Sequence, residues 1–460
     1  METGPLHFGV IGGGLLGLTL SLRLAERGRR VTLLEASDRV GGLADAWELG
    51  DVAWDRHYHV TLMSDSRLRA ILAELQLDDQ MRWSRTRTGF LVDGQLTSMS
   101  GLADFLRFPP LRFIDKLRLG WTIWQASRRD DWQTLEQIPV ADWLIKHSGR
   151  RTFNQIWLPL LKAKLGDAWQ RTSAAFIWAT IQRMYAARRT GLKYEMFGYL
   201  PGGYARLLSA FQAHLQTLGV DVCVNRPVRR IERDDDGGYA VTGADGEVST
   251  FDRVVVTLPA PTAARVCPQL SEDEIARLAD VEYLGIICAS VLMKKPLAGY
   301  YVTNITDAAP FTGVIEMTAL VDPAELGGRT LVYLPKYLTA EDAAWSKSDD
   351  EVRVEFIAAL ERLFPNFDAD DVLAFRVSRV RNVFALSTLN YSRRVPPIET
   401  SSPGLFIVTS AQIVNGTLNV NETIRQAESS LDTLCQPLPH PLPAFGHDAP
   451  ADRELIARPR

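Results

Sequence analysis

Residues 8 to 17 read Phe8-Gly9-Val10-Ile11-Gly12-Gly13-Gly14-Leu15-Leu16-Gly17, and this stretch is the strongest indication of the fold class. A short apolar strand runs into a glycine turn, and the turn runs into an apolar helix that reaches Gly28. A second strand, Val31-Thr32-Leu33-Leu34, follows and leads to Glu35. This order of elements predicts a βαβ unit of the kind that binds dinucleotides.

The glycines of the turn have separate physical roles. Gly12 permits the tight turn, Gly14 lets the backbone approach a pyrophosphate, and Gly17 lets the helix lie close to the strand. The free N–H groups and the positive dipole end of the helix then face the pyrophosphate. We therefore expect Gly12, Gly13, Gly14 and Gly17 to bind the cofactor.

Glu35 and the residues after it indicate which nucleotide is bound. A carboxylate at the end of the second strand accepts hydrogen bonds from both ribose hydroxyls and repels a 2′-phosphate, which disfavours NADP. The chain continues Glu35-Ala36-Ser37-Asp38-Arg39-Val40-Gly41-Gly42. Arg39 and the second glycine turn, Gly41-Gly42, extend the phosphate-binding surface beyond what NAD needs. This extension points to FAD.

On these motifs the chain resembles the superfamily of flavin-dependent amine oxidases, phytoene desaturases and protoporphyrinogen oxidases, to which UDP-galactopyranose mutase is also similar. The resemblance covers about residues 6 to 430. It implies an α/β fold in which a Rossmann-like FAD-binding domain carries an inserted α+β substrate domain. Because the specific motifs lie near the two ends of the chain, it indicates the cofactor better than the substrate.

The pattern of strands and helices predicts two discontinuous domains. The FAD-binding domain is expected to comprise residues 1–75, 200–261 and 386–435, and the substrate domain residues 76–199 and 262–385. The first insertion has the apolar spacing of helices, and the second mixes strands with a helix. Residues 436–460 are rich in proline and charge, so we expect a disordered tail.

The resemblance also assigns cofactor contacts far along the chain. The residue that matches Val228 meets the adenine through its backbone. After the apolar strand over 404–408, relatives carry glycine and then aspartate, whereas this chain has Thr409-Ser410-Ala411-Gln412. Gln412 or the backbone is therefore expected to replace the usual carboxylate contact.

A last cofactor contact is expected where the final helix begins. Gly416, Asn419 and Val420 precede or open this helix, whose first N–H groups would face the flavin C2 carbonyl. No cysteine stands in this motif, where some relatives attach the flavin covalently. We therefore expect FAD to be held non-covalently.

Candidate catalytic residues lie in the run Asp55-Arg56-His57-Tyr58-His59. In relatives this segment passes the isoalloxazine, and His59 matches the histidine of the mutase G-P-H segment. Imidazole can act as an acid, a base or a hydrogen-bond donor near neutral pH. Tyr58 and His59 are therefore expected to line the active site. An incidental histidine pair is the alternative, and it weighs more for His57 than for His59.

Charged residues in the second insertion are further candidates. Amine oxidases of the superfamily often place a lysine near flavin N5, where this chain aligns Cys288 or an apolar neighbour; this disfavours an amine oxidase. Glu316 and Lys336 are charges flanked by apolar strand residues, which is costly unless they are paired. They are candidate substrate contacts, or they form a structural salt bridge with each other or with Arg381.

Residues 105–124 interleave apolar and aromatic side chains with cations, which is typical of a segment in a membrane interface. The alternative is an amphipathic helix whose basic face is solvated and whose apolar face belongs to the core. Both interpretations stay open at this point, and the second is the more frequent outcome.

Composition excludes several other classes. The net charge of −4 gives no general attraction to nucleic acid. The four cysteines are widely separated, which indicates neither a metal site nor a disulfide framework. With no spanning or targeting segment recognised, we expect a cytoplasmic location, with peripheral membrane contact through residues 105–124 as an option.

The sequence thus predicts an FAD-dependent oxidoreductase that removes a hydride from a hydrophobic or amphipathic small molecule and leaves a double bond. Three alternatives remain. They are a non-redox flavin mutase acting on a nucleotide sugar, an amine oxidase, and a flavin-less binding protein of the same fold.

Overall fold

The computed structural model describes residues 5–186, 196–234 and 237–437. The strand before the glycine turn lies at the centre of a five-stranded parallel sheet, where it is covered on both faces and almost entirely buried. In sheet order the strands are Asp221–Cys223, Arg30–Leu34, His7–Ile11, Arg253–Val256 and Leu405–Ile407. The expected α/β fold class is confirmed.

Helices cover one face of this sheet and a small antiparallel sheet covers the other. The helices are Leu15–Glu26, Ser66–Glu74, Gly203–Thr217 and Val420–Cys435. The antiparallel strands are Val228–Arg233, Tyr239–Gly243 and Val248–Phe251, followed along the chain by the helices Ala260–Val266 and Glu272–Ala279. The first and last helices of the first face are also joined by an ion pair between Arg23 and Glu428, at 3.1 Å.

A second, seven-stranded sheet is built mainly from the later half of the chain. Its order is Val372–Ala385, Tyr283–Met293, Thr330–Leu338, Gly313–Glu316, Val302–Ile305, Thr88–Val92 and Gln95–Ser98. Neighbouring strands are antiparallel except Val302–Ile305 and Thr88–Val92, which are parallel. The helix Asp349–Leu363 packs on one face. The other face packs against the hairpin Ala46–Leu49 and Val52–Asp55.

Residues 102–186 form a helical layer. Its helices are Leu102–Arg107, Phe113–Ser127, Trp132–Leu135, Val140–Ser148, Arg150–Thr152, Leu158–Leu165 and Ala174–Ala186, with a π-helical turn at Phe153–Trp157. The first insertion is not wholly helical as expected, because it also contains the strands Arg82–Arg85, Thr88–Val92, Gln95–Ser98 and Met196–Tyr199. Two of them extend the seven-stranded sheet. The other two pair with each other, and Met196–Tyr199 also pairs with Thr61–Leu62. Thr88–Val92 and Gln95–Ser98 form a local hairpin across Asp93-Gly94, whereas Met196–Tyr199 pairs with strands more than 100 positions earlier in the chain.

No helix in the described part of the chain is both long and apolar enough to cross a membrane. The domain boundaries given above stay a prediction. Apart from residues 436 and 437, the segment expected to be a disordered tail lies outside the described residues.

Candidate functional site

The carboxyl ends of the parallel strands define one edge of the five-stranded sheet. Gly12, Glu35, Thr257 and Val408 each follow directly on a strand of that sheet. In open parallel sheets, ligands bind in the crevice at this edge. The glycine turn and the acidic residue named from the sequence therefore lie where a nucleotide site is expected.

The glycine turn is closely fitted to the helix that follows it. A Cβ on Gly17 would lie 1.9 Å from the Gly12 carbonyl oxygen, and Gly12 itself has φ +110°. Gly14 faces open space, since no atom lies within 4 Å of where its Cβ would stand. The helix Leu15–Glu26 starts without a side-chain cap, so its first N–H groups suit an external anion.

The second glycine turn packs directly against the first. The Gly41 N–H donates to the Gly13 carbonyl at 2.8 Å. Gly41 and Gly42 have φ of +129° and +58°, and a Cβ on Gly42 would stand 3.2 Å from the Gly14 Cα. The backbones of the two turns are therefore in direct contact. A side chain at Gly17, Gly41 or Gly42 would disturb this packing.

Glu35 lies against the first turn. Its Oε2 accepts the Gly13 N–H at 2.6 Å, and its Oε1 accepts the Ser37 N–H at 2.8 Å. The Arg226 N–H donates to the Glu35 carbonyl, which brings the chain leading to Val228 beside this acid. Arg39 pairs with Asp38 at 3.3 Å and is more than half exposed, so its guanidinium is not fixed over the turn.

The motif after the last strand differs from the expectation for Gln412. Its side chain accepts the Thr409 N–H and donates to the carbonyls of Pro396 and Ile407. The expectation that this amide replaces a cofactor carboxylate is therefore wrong, because its polar atoms are already used by the backbone. Thr409 and Gln412 form a reciprocal capping box around one 3₁₀ turn.

The helix that was expected near Asn419 starts at Val420. Asn419 is its N-cap, and its Oδ1 accepts the Glu422 N–H at 3.1 Å. Gly416 lies just before this cap, where a Cβ would meet the Glu422 carboxylate at 2.9 Å. The start of this helix and the start of Leu15–Glu26 lie on the same side of the sheet.

His57 is held by two hydrogen bonds within the protein. Its Nδ1–H donates to the Leu43 carbonyl and its Nε2 accepts the Ser378 hydroxyl, each at 3.1 Å. Burial lowers its pKa to about 4. Both ring nitrogens of His57 are thus occupied, which favours the structural interpretation of this residue.

His59 has a different environment. Its ring packs on Tyr204 with centroids 4.7 Å apart, and its Nδ1 lies 3.8 Å from Asp55 Oδ2. Burial lowers its pKa to about 3, so this pair is not an ion pair at neutral pH. Neither Asp55 nor Tyr204 is predicted as a site residue from the sequence. Asp55 belongs to the run quoted for the histidines, and Tyr204 follows a Gly-Gly pair that opens a helix.

Tyr58 joins the nucleotide side to the second sheet. Its hydroxyl hydrogen-bonds the Tyr337 hydroxyl at 2.8 Å, and burial raises its pKa well above the ordinary value. Cys288 lies nearby, fully buried on the same sheet face as Tyr333. The Tyr333 hydroxyl donates to the Asp55 carbonyl. Tyr58, Tyr333 and Tyr337 thus lie together on this face of the second sheet.

Glu316 is not a substrate contact in this structure. Its carboxylate is 2% exposed and accepts the N–H groups of Leu297, Ala298 and Gly299. The salt bridge expected with Lys336 or Arg381 is also wrong, because backbone N–H groups rather than a cation hydrogen-bond this carboxylate.

Lys336 lies on the wrong face of its strand for substrate contact. By strand alternation it shares the face of Val332 and Leu334, which the helix Asp349–Leu363 covers. Tyr333 and Tyr337 occupy the opposite face.

The segment 105–124 exposes an apolar stripe. Phe113, Ile114, Leu117, Trp121 and Trp124 on the helix Phe113–Ser127 are each 44–69% exposed. Their spacing places them on one face. The buried face instead carries Asp115, Lys116, Leu119 and Thr122. The interpretation with the apolar face in the core is therefore wrong for these five side chains.

Comparison with known proteins agrees with this geometry. A family model described as flavin containing amine oxidoreductase matches residues 17–418. The 15-cis-phytoene desaturase of Glycine max is 22% identical over 390 residues, which cover 79% of this chain and 66% of that protein. The coproporphyrinogen III oxidase of Mycobacterium bovis is 26% identical over 290 residues, which cover 57% of this chain and 61% of that protein. The chain thus spans slightly less than two thirds of each of these relatives.

A solved structure of an oxidoreductase from Methanosarcina mazei has a TM-score of 0.71 at 19% identity, covering 93% of this chain and all of that one. This likeness shows a shared fold. Because the family model covers most of its length, the chain belongs to the flavin containing amine oxidoreductases.

Proposed function

We propose that this chain binds FAD non-covalently and removes a hydride from a hydrophobic or amphipathic small molecule. The observation that carries the proposal is the contact between two glycine turns beside Glu35, from which side chains are excluded. Two relatives are named for phytoene and coproporphyrinogen, which agrees with an organic substrate.

The residues around the glycine turns fit the parts of FAD. The pyrophosphate would lie against the open side of Gly14 and the uncapped helix start, with Arg39 free to approach it. Glu35 would accept the ribose hydroxyls, and the backbone of Val228 would meet the adenine. The residues proposed to hold the cofactor are Gly12, Gly13, Gly14, Gly17, Glu35, Arg39, Gly41, Gly42, Val228, Gly416, Asn419 and Val420.

Bound flavin supplies a two-electron acceptor for hydride. The chain must then present the substrate, exclude water and receive the proton that leaves with the hydride. Tyr58 and the face with Cys288 and Tyr333 are buried, so they offer an apolar wall. Burial lowers the pKa of His59 to about 3, so its ring is neutral at pH 7 and would pass on, rather than keep, a proton that it receives.

Cys288 argues against amine oxidation. It lies buried on the second-sheet face directed at the nucleotide side, where the alignment with amine oxidases expects a lysine. Burial raises the pKa of this thiol, so it stays uncharged. A neutral apolar wall suits a hydrocarbon-like substrate better than a cation.

The test is anaerobic mixing of purified yellow protein with lipids, amines and sugar nucleotides while the flavin absorbance is followed. Bleaching by apolar compounds, with a double bond formed in the product, is the expected result. Bleaching by amines with peroxide release on reoxidation would favour an amine oxidase. Turnover of a sugar nucleotide with no net bleaching would favour a mutase. Protein that takes up no flavin would contradict the proposal.

We propose further that the exposed stripe of Phe113–Ser127 docks on a membrane surface that contains anionic lipid. Four exposed arginines, Arg107, Arg112, Arg118 and Arg128, flank the apolar side chains and complement lipid phosphates. Trp121 and Trp124 stack on each other at 4.8 Å, and tryptophan favours the membrane interface. An apolar substrate would then enter from the lipid.

Flotation with vesicles tests this docking. The wild type is expected to bind phosphatidylglycerol-containing vesicles and to bind less in high salt, since salt screens the arginines. Trp121→Ser is expected to weaken binding, whereas Val354→Ser, at an exposed apolar position on another helix, is expected to leave it unchanged. Equal loss in both variants, or no binding by the wild type, would contradict the docking.

A further inference from the structure

A small cavity lies between the segment 54–61 and the start of the helix Gly203–Thr217. Leucine and methionine side chains form much of its wall. The lining residues with polar side-chain atoms are Trp54, Asp55, His59, Thr61, Tyr199 and Tyr204. Its volume is about 20 Å³, and one water molecule needs roughly 10–15 Å³. The cavity therefore has room for a single water.

Polar atoms at this cavity lack partners within the described residues. Trp54 Nε1 and His59 Nδ1 are buried without a hydrogen bond. Asp55 Oδ1 accepts the Tyr204 N–H at 2.7 Å, but Asp55 Oδ2 stays 3.8 Å from His59 Nδ1. That separation is too long for a direct hydrogen bond. Since unpaired buried polar atoms are costly, the site favours a bridging water over apolar contents.

We propose that this cavity binds one ordered water molecule that links Asp55 to His59, and that Asp55 is thereby a positioning residue for His59. The proposal rests on the proposed function, in which His59 receives a proton. Through the water, the Asp55 carboxylate holds a proton on His59 Nδ1. The Nε2 of the same ring then keeps the lone pair that a proton acceptor needs.

The surrounding charges are consistent with this assignment. Asp45 and Tyr204 act on Asp55, and His57 acts on His59. Asp65 and Arg183 approach Tyr204 and pair with each other at 2.8 Å. Burial lowers the pKa of His59, so its ring carries one proton at neutral pH. Asp55 determines which of the two ring nitrogens of His59 carries that proton.

Histidine-selective ¹⁵N NMR of the flavin-loaded protein reads the tautomer directly. The chain has seven histidines, and His59→Gln identifies the signals of this one. At about pH 8, above the raised pKa of Asp55, the wild type is expected to show a neutral ring protonated on Nδ1. Asp55→Asn keeps an oxygen for the Tyr204 N–H but adds a donor, so the proton is expected to move to Nε2.

Met317→Leu is the matched control, because Met317 lines the same cavity without a polar hydrogen. It is expected to leave the tautomer unchanged. A crystal structure is expected to show water within hydrogen-bond distance of Asp55 Oδ2 and His59 Nδ1.

An unchanged tautomer in Asp55→Asn, or a cavity without water, would overturn the inference. The flavin absorbance of the same sample separates this failure from failure of the proposed function. If the Asp55→Asn protein binds flavin and its His59 tautomer is unaltered, the role of Asp55 is refuted and the proposed function is not.

Discussion

The glycine turns and the Asp55–His59 cavity are built in opposite ways. At the turns, backbone atoms approach to van der Waals distance and Gly14 opens to solvent. At the cavity, side chains from the hairpin and from a helix start enclose polar atoms in an apolar wall. The glycine turns are defined by the absence of space for side chains. The cavity is defined by the removal of its polar atoms from bulk water. Changes at the first should act sterically, and changes at the second through protonation and hydrogen bonding.

The largest expected effect is that of Gly17→Ala. Its Cβ would meet the Gly12 carbonyl oxygen at 1.9 Å, so the helix must move away from the strand. We expect loss of bound flavin and a free energy of unfolding lower by about 3 kcal/mol. Flavin content after purification and urea unfolding measure both.

Gly120→Ala is the control for this change. Gly120 lies in the helix Phe113–Ser127 with no atom within 4 Å of its added Cβ. It is expected to gain up to about 1 kcal/mol of stability from helix propensity. A Gly17→Ala protein as stable and as yellow as the wild type would show that the turn is not tightly fitted.

Gly14→Ala sharpens the steric argument, because this Cβ would meet no protein atom. The free energy of unfolding without cofactor should therefore change little. Flavin affinity should fall by about tenfold or more, which corresponds to about 1.4 kcal/mol, since the Cβ fills the space proposed for the pyrophosphate. Titration of flavin into stripped protein, followed by fluorescence, gives the affinity. Unaltered affinity would count against a cofactor at this turn.

The cavity side predicts a pH dependence of stability. Burial lowers the pKa of His57 to about 4 and that of His59 to about 3, and it raises the pKa of Asp55 to about 7. Between pH 6.5 and 4, unfolding lets both histidines bind protons while Asp55 releases one. For these three groups the net uptake is about one proton, so their contribution to stability falls as the pH is lowered, by roughly 1.4 kcal/mol per pH unit.

His57→Gln tests the sign of this dependence, because glutamine can still reach the Leu43 carbonyl and the Ser378 hydroxyl. With one histidine removed, the slope of stability against pH should be smaller than in the wild type by about 1.4 kcal/mol per pH unit in this window, because unfolding takes up one proton fewer. His214→Gln, on the helix Gly203–Thr217, is the control and should keep the slope. Urea unfolding at several pH values measures it. An unchanged slope in His57→Gln would contradict burial as its source.

Tyr58→Phe should have the smallest effect. It removes one hydroxyl of the pair with Tyr337, whose atoms lie 2.8 Å apart, and should cost about 1 kcal/mol. In the Tyr58→Phe background, Tyr337→Phe should lower the free energy of unfolding by less than it does in the wild type. The reason is that the double variant leaves no buried hydroxyl without a partner. A double-mutant cycle in urea measures the coupling. Additive costs would show that the hydroxyls do not interact.

The glycine turns could be named from the sequence because their constraint is local. Gly12, Gly14, Gly17 and Glu35 lie within one strand, one helix start and the end of the next strand. Each is required by backbone geometry that the neighbouring residues already indicate. The fold class followed from the same stretch, since one βαβ unit at the amino end determines where the parallel sheet begins.

The cavity could not be derived in this way. Asp55 and Tyr204 are 149 positions apart, and the backbone of one meets the side chain of the other only after the hairpin packs on the helix start. The alternation of the strand Thr330–Leu338 directs Tyr337 toward the hairpin over residues 46–55 and Lys336 toward the helix Asp349–Leu363. The sequence alone does not say which face of the strand meets which neighbour. The prediction that Glu316 contacts substrate or forms a salt bridge was wrong because three backbone N–H groups hydrogen-bond its carboxylate. Backbone donors of this kind leave no recognisable pattern in the sequence.

The structural role of Gln412 could have been predicted from its sequence spacing. Thr409 and Gln412 are spaced as a capping box, in which the glutamine side chain serves the backbone. That spacing predicts a structural amide rather than a ligand contact.

The central claim is that two glycine turns hold a pyrophosphate between a flavin and an adenosine. Titration of flavin-stripped protein with FAD and with FMN tests it most directly, because FMN lacks the pyrophosphate bridge and the adenosine. FAD should bind one to one and FMN at least tenfold more weakly. Equal affinity for the two, or no binding of either, would contradict the account.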